Sequence, residues 1–173
     1  MEMVVVVAVI AVCFGAIAFS INWGGADVEL QRQSEELARW IESIGLRASA
    51  DGSDWVMTID LDRGLCKARP RQSPTGEARV RYRCADPVRM ARVAYVRDDV
   101  EVKKRGAVRV RFYANGVCVP HTITLMEDGK KPRTLRANPI TGEVTIVRGR
   151  ADSARVSAEG FLEVVDETSF HPD

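Results

Sequence analysis

At 173 residues the chain is long enough for one compact domain and an additional segment, and short for two full domains. Its 46% hydrophobic and 28% charged residues, with a formal net charge of +1, exclude a disordered chain and carry no general nucleic-acid signature. The average hides a division: residues 3–23 contain no Asp, Glu, Lys or Arg, and nearly all the charge follows Gly25.

The first element is that apolar head. From Met3 to Ile21 the sequence reads MVVVVAVIAVCFGAIAFSI, and about 20 helical residues cross roughly 30 Å of hydrocarbon. It starts Met1-Glu2 with no Lys or Arg, unlike the positive start of a secretory signal peptide. Cys13 follows Val12 rather than a small residue, so it reads as an apolar filler in preference to a lipoprotein site. Gly24-Gly25 then forms a soft joint, and Asp27 opens a second helical stretch through Ala50. There Leu30, Leu37, Ile41 and Ile44 recur at helical spacing beside Trp40, while Arg32, Glu35, Arg39 and Glu42 fall mainly elsewhere. This half is amphipathic and is expected to pack on a sheet.

From Trp55 the period changes to two. Trp55, Met57, Ile59 and Leu61 share one face. From Ala78 to Cys84, Val80, Tyr82 and Cys84 oppose Arg79, Arg81 and Arg83. From Ala107 to Tyr113, Val108, Val110 and Phe112 oppose Arg109 and Arg111, before an Asn115-Gly116 turn. Further strands are expected over 90–96, 120–126, 132–137 and 142–148, separated by Asp128-Gly129 and Asn138-Pro-Ile-Thr-Gly142. Beyond Arg148 the cluster Phe161-Leu-Glu-Val-Val165 either adds a strand or frays.

The chemistry is sparse. Cys66, Cys84 and Cys118 lie in the charged body. In an oxidising compartment the simplest arithmetic is one disulfide and one spare thiol, with Cys66–Cys84 the favoured pair because the chain between them can fold back as a hairpin; three buried thiols is the other reading. No spacing matches a C-x-x-C zinc or redox motif. His121 and His171 are expected at the surface and supply too little for a triad or metal site. Asp60 with Asp62, or Asp98 with Asp99, sits in a strand or turn rather than in an acid–base pair or calcium loop. No phosphate loop, nucleophile elbow or dinucleotide turn appears. No enzyme, cofactor, metal or small-molecule substrate is expected. The arginines are open to two readings: a salt-dependent phosphate-binding face, or a solvated face paired with Glu77, Asp86 and Glu101 that blocks edge aggregation.

A carboxylate at the end of a spanning helix costs on the order of a few kcal/mol unless a cation meets it. Read as an isolated residue, Glu2 is equally an interfacial acid favouring the helix dipole. In context, Met1-Glu2-Met3-Val4-Val5-Val6-Val7-Ala8-Val9-Ile10 resembles the N-terminal helix of type IV pilins and pseudopilins, whose signature is a short apolar lead, Glu, then a long apolar stretch. Leu37-Ala-Arg-Trp-Ile-Glu-Ser-Ile-Gly45 with Trp55-Val-Met-Thr-Ile-Asp60, and later Val110-Arg-Phe-Tyr-Ala-Asn-Gly116, Thr122-Ile-Thr-Leu125 and Asn138-Pro-Ile-Thr-Gly-Glu-Val144, look like the GspH/FimT group. The resemblance covers roughly residues 1–148.

That resemblance implies an α+β, pilin-like fold: a long N-terminal helix, membrane-spanning in its first half and amphipathic in its second, packed on an antiparallel β-sheet or sandwich. The divisions are 1–24 for the transmembrane and assembly helix, 25–50 for the amphipathic helix, 51–150 for the β-domain and 151–173 for a C-terminal extension. It implies a non-enzymatic minor pseudopilin of a type II secretion pseudopilus or type IV pilus, single-pass in the bacterial inner membrane with its domain in the periplasm. Its partners would be other subunits and membrane lipid. Glu2 would set register by pairing with a neighbour's amino terminus. Leader cleavage and methylation are further implications, although the signature's basic leader and Gly do not precede Glu2 here. The alternatives are an unrelated anchored periplasmic β-domain, or a DNA-binding minor pilin using Arg79, Arg81, Arg83, Arg109, Arg111, Arg148 and Arg150. Against the last, the end of the match reads Gly142-Glu-Val-Thr-Ile-Val-Arg-Gly-Arg150, with an acid where the FimT branch is arginine-rich.

Overall fold

The structure, a computed structural model, describes residues 28–73, 77–96 and 100–149, and the strands Ser153–Val156 and Leu162–Val165 in their backbone course. The apolar head, Glu2 and the Gly24-Gly25 joint lie outside the described residues. Among those described, no helix is long and apolar enough to cross a membrane.

Helix α1 covers residues 28–50, about 35 Å at the α-helical rise. Leu30, Leu37, Ile41, Ile44 and Ala48 form its buried stripe, while Arg32 pairs with Glu29 and Glu36 on the wet side. The Arg32 and Gln33 hydrogen bonds hold the Glu29 carboxyl down at about 2. The helix ends in a Schellman turn: Gly52 takes a φ of 56° and the Ser53 amide donates to Ala48 O at 3.2 Å.

Two antiparallel sheets follow. The first orders its strands β3-β2-β1-β6, with β1 Trp55–Asp60, β2 Leu65–Pro70, β3 Val80–Arg83 and β6 Ala107–Phe112. The second runs β5-β4-β7-β8-β9, with β4 Arg89–Val96, β5 Val100–Lys103, β7 His121–Met126, β8 Arg133–Ala137 and β9 Val144–Arg148. A separate hairpin, β10 Ser153–Val156 with β11 Leu162–Val165, lies against β5 through β10. So the apolar cluster near residue 161 does add a strand.

Alternation builds the core. Trp55, Met57 and Ile59, with Cys66, Ala68, Val108, Val110 and Phe112, turn one face of the first sheet inward. Val93, Ile123, Leu125, Leu135 and Ala137 turn in from the second, and the stripe of α1 joins them in one cluster. The sheets meet where Cys66 Sγ lies 3.8 Å from Met90 Sδ and where Phe112 and His121 stack edge to face at 5.9 Å. A one-residue irregularity between Met90 and Arg92 bends β4.

Four expectations need correction. β3 is shorter than the stretch 78–84, because Arg79 departs from regular pairing, though its amide still reaches Ala68 O. β2 and β5 were not foreseen. His121 is 1% exposed rather than at the surface, since it shares the inward face of β7 with Ile123 and Leu125 and packs on Phe112; His171 lies outside the described residues. The expected Cys66–Cys84 disulfide is not formed. Tyr82, not Cys84, stands opposite Cys66, and Cys66, Cys84 and Cys118 are free thiols.

Candidate functional site

Two features of the described domain bear on function: the seat that fixes α1 to the sheets, and the wet face of the first sheet.

The seat is polar within an apolar surround. Gln33, 1% exposed, meets the backbone that follows β3: its Nε2 donates to Ala85 O at 2.8 Å, and its Oε1 accepts from Ala85 N at 3.0 Å and from Cys84 Sγ at 3.2 Å. Tyr82 donates its hydroxyl to Gln33 O at 3.1 Å, and its ring lies 6.1 Å from that of Trp40. Two and a half turns further along α1, the Val144 amide donates to Glu42 Oε1 at 2.9 Å. The first latch ties α1 to the first sheet and the second ties it to the second sheet. A load on the N-terminal end of α1 therefore acts on both sheets together. Periodicity located the apolar stripe but missed these bonds, because a Gln inside a helix reads as neutral.

Burial pushes the cysteines away from reactivity. Cys66 is raised well above the ordinary thiol range; Cys84 rises to about 11 and Cys118 to about 12, each chiefly by desolvation. Of the two acid pairs, Asp60 and Asp62 are the one within the described residues, and both carboxylates bond to turn amides. Asp60 Oδ1 accepts from the Arg63 amide and Asp62 Oδ2 from the Gly106 amide, which makes both turn residues; Asp98 and Asp99 lie outside the described residues. Among the described residues no His, Cys, Asp and Glu group could hold a metal ion.

The wet face of the first sheet is cationic, and its register can be laid out row by row. Lys67 stands opposite Arg81 across β2–β3 and opposite Thr58 across β1–β2, and Thr58 stands opposite Arg109. In the next row Arg69 and Arg111 flank Val56. In the row on the other side, Arg83, Leu65, Asp60 and Ala107 align. Asp60 is the one acid that these strands place on the face, and it lies 3.8 Å from Arg63. Arg79 and Arg71 pair at 3.8 and 3.7 Å with Asp51 and Asp54 at one end. Among the described residues, no ion pair joins Lys67, Arg69, Arg81, Arg83 or Arg109 to an acid; of the expected partners, Glu77 shares a cleft with Lys67, Arg69 and Arg81 without pairing, and Glu101 accepts from the Tyr95 hydroxyl.

The structure thus gathers Arg81, Arg83, Arg109 and Arg111 on one face, with Arg79 at its margin. Arg148 is separate: it sits on β9 of the other sheet, opposite Arg133. Arg150 and Glu2 lie outside the described residues. Sequence reasoning missed Lys67 and Arg69, which fill the middle of the face. The available signal was the alternation Leu65-Cys-Lys-Ala-Arg69.

The same topology recurs among solved structures. The minor pseudopilin EpsH of the type II secretion system of Vibrio cholerae matches at a TM-score of 0.55 and 12% identity, covering 72% of this chain and 99% of that one. A second EpsH structure from Vibrio cholerae matches at 0.51 and 11%, covering 69% and 95%. This chain has the fold of a minor pseudopilin. The type IV minor pilin FimU of Pseudomonas aeruginosa is similar at a TM-score of 0.49 and 14% identity, covering 70% of this chain and 90% of that one. No protein-family model and no curated protein matches the sequence. The cationic face lies on the side of the first sheet opposite the face that packs in one core with α1.

Proposed function

We propose that the chain is a non-enzymatic minor pseudopilin that assembles with other pilin-like subunits in a type II secretion pseudopilus or a type IV pilus. Residues 3–23 hold it in the inner membrane before assembly, and the domain stands in the periplasm. The observation that carries this reading is the double latch of α1 at Gln33 and Glu42, in a fold that covers almost all of the EpsH domain. A helix fixed to both sheets lets a pull on its N-terminal extension move the domain as one body. Glu2 sets the register: its carboxylate stays costly in the apolar bundle until a neighbour's amino terminus meets it, so misaligned subunits are penalised. The test is cross-linking to partner pseudopilins in cells. Glu2→Ala should abolish it while the domain stays folded, and normal cross-linking by that variant rejects the register role.

A second reading is favoured by one observation, the rows of Lys67, Arg69, Arg81, Arg109 and Arg111 gathered on one sheet face. As a DNA-contacting minor pilin, the chain would grip phosphates through this face. Among the described residues of this face Tyr113 alone interleaves an aromatic ring, under Arg111 at 5.7 Å, so backbone contact is favoured over base stacking. Titrating a duplex oligonucleotide at falling ionic strength decides it: binding should weaken steeply with salt, and no binding at low salt discards it.

A further inference from the structure

Among the described residues, no strand pairs with the outer side of β6 over residues 107–110. β6 closes the strand order and pairs with β1 alone along most of its length. Its far end is capped by the chain returning through Cys118 and Val119, where the Val119 amide donates to Arg111 O at 2.9 Å. Pro120 follows, and a residue without an N–H cannot extend that pairing. The chain then crosses to β7, and among the described residues the outward backbone groups of 107–110 meet no strand.

The direction of the free groups follows from strand geometry. Gly106 O accepts from the Leu61 amide at 3.0 Å, so it faces β1, whereas Arg111 O faces away. Backbone groups alternate sides along a strand. The N–H and C=O of Ala107 and Arg109, and the N–H of Arg111, therefore point outward. They open on a cleft of about 630 Å³ bounded across by Tyr95, Val96 and Lys103 of the other sheet. Arg69, Arg109 and Arg111 line one wall and Lys103 the other.

We propose that this edge is a strand-addition site for an extended acidic segment of a partner polypeptide. Main-chain hydrogen bonds to Ala107 and Arg109 would supply the docking, and the flanking cations the choice of sequence. A second copy joined edge to edge would set Arg109 and Arg111 against their own counterparts, and like charges across a strand pair destabilise it. The partner is therefore a different, acidic chain. The site names a contact through which a neighbouring subunit would dock and so adds to the assembly reading, yet its test does not involve the N-terminal helix, so either can fail alone.

The test uses the full chain in detergent micelles and a capped, fluorescent octapeptide alternating Val or Thr with Asp or Glu. It should bind, slow amide exchange at Arg109, and outcompete its Lys-for-acid counterpart by about tenfold. Arg109→Pro removes an outward N–H that the β1 ladder does not use, as edge strands tolerate. Peptide binding should fall by about tenfold or more in that variant, and by only about threefold in Arg109→Gln, which keeps the N–H. If Arg109→Pro disturbs folding, a peptide N-methylated at alternate residues makes the same measurement on the unaltered chain and should bind about tenfold more weakly. Undiminished binding by Arg109→Pro or by the N-methylated peptide would show capture by charge alone and overturn the proposal. So would no binding at about millimolar peptide, or equal binding of the Lys peptide.

Discussion

The side chain of Gln33 satisfies both backbone groups of Ala85, donating to its carbonyl at 2.8 Å and accepting from its amide at 3.0 Å. The pair closes a ring of hydrogen bonds between the middle of α1 and the segment leaving β3. Gln33→Leu would fit the surrounding apolar helix face but take the acceptor from the Ala85 amide, while Ala85 O keeps its bond from the Val88 amide at 3.0 Å. Because Ala85 is itself exposed, we expect a loss of about 1 kcal/mol of stability, read as a lowered urea midpoint of the purified chain. A change within about 0.5 kcal/mol would mean that solvent satisfies Ala85 and that α1 is not latched there.

A pH dependence follows from His121. Its Nδ1 lies 2.8 Å from Val119 O and so carries the donated proton, while Nε2 is buried without a partner among the described residues. Desolvation lowers its pKa from 6.5 to about 4. The folded state therefore favours the neutral ring, and the unfolded chain binds the extra proton between those values. Stability is full above pH 6.5 and is lost as pH falls toward 4, by about 2 kcal/mol at pH 5. Urea midpoints at pH 7 and pH 5 should show the loss in the native chain, and His121→Leu should flatten it.

Much of the fold was legible. The stripe of α1, and the inward faces of β1 and β6, follow from period alone because Leu, Ile, Trp, Met and Phe mark each inward position. β2 escaped because its inward residues are the small Cys66 and Ala68 and because Pro70 ends it. β5 escaped because its residues are half-buried or exposed, so they carry no burial contrast. His121 was misplaced because a histidine reads as a surface residue, whereas it alternates with Ile123 and Leu125 and turns inward against Phe112; on the opposite face Thr122, Thr124 and Thr134 are buried as well. Polar side chains that bond each other, as Thr124 and Thr134 do at 3.3 Å, read as solvent-facing in a sequence. For the same reason the arginines of β3 and β6 were placed on one face, but not the β2 cations between them or the distance from Arg148.

The free thiols separate two pictures of the cysteines. Were Cys66 and Cys84 bonded, replacing either would break the same link and cost the same. In the structure Cys66 is sealed against Met90, whereas Cys84 lends a proton to Gln33 Oε1 that a serine can replace. We expect Cys66→Ser to cost about 2 kcal/mol and Cys84→Ser less than about 1 kcal/mol. Urea unfolding in oxidising buffer checks this, and equal losses would restore the disulfide.

The cationic face should be a net liability to the fold. Lys67 and Arg81 stand directly opposite each other, and like charges across a strand pair are destabilising, whereas opposite charges contribute roughly 0.2 to 1 kcal/mol. Lys67→Glu would exchange one for the other without touching the core, since its side chain lies on the face away from Cys66 and Ala68. We expect the variant to be more stable by about 0.5 kcal/mol in urea unfolding at low salt, with the gain vanishing near 1 M salt, where screening is nearly complete. If the face contacts duplex DNA, the same substitution should weaken that binding and flatten its salt dependence by about one phosphate contact's worth. A variant that gains stability and loses duplex affinity would identify the rows as kept for a ligand at the fold's expense. A gain in stability with no duplex binding by either protein would leave the arginines as a wet surface that only shields the sheet.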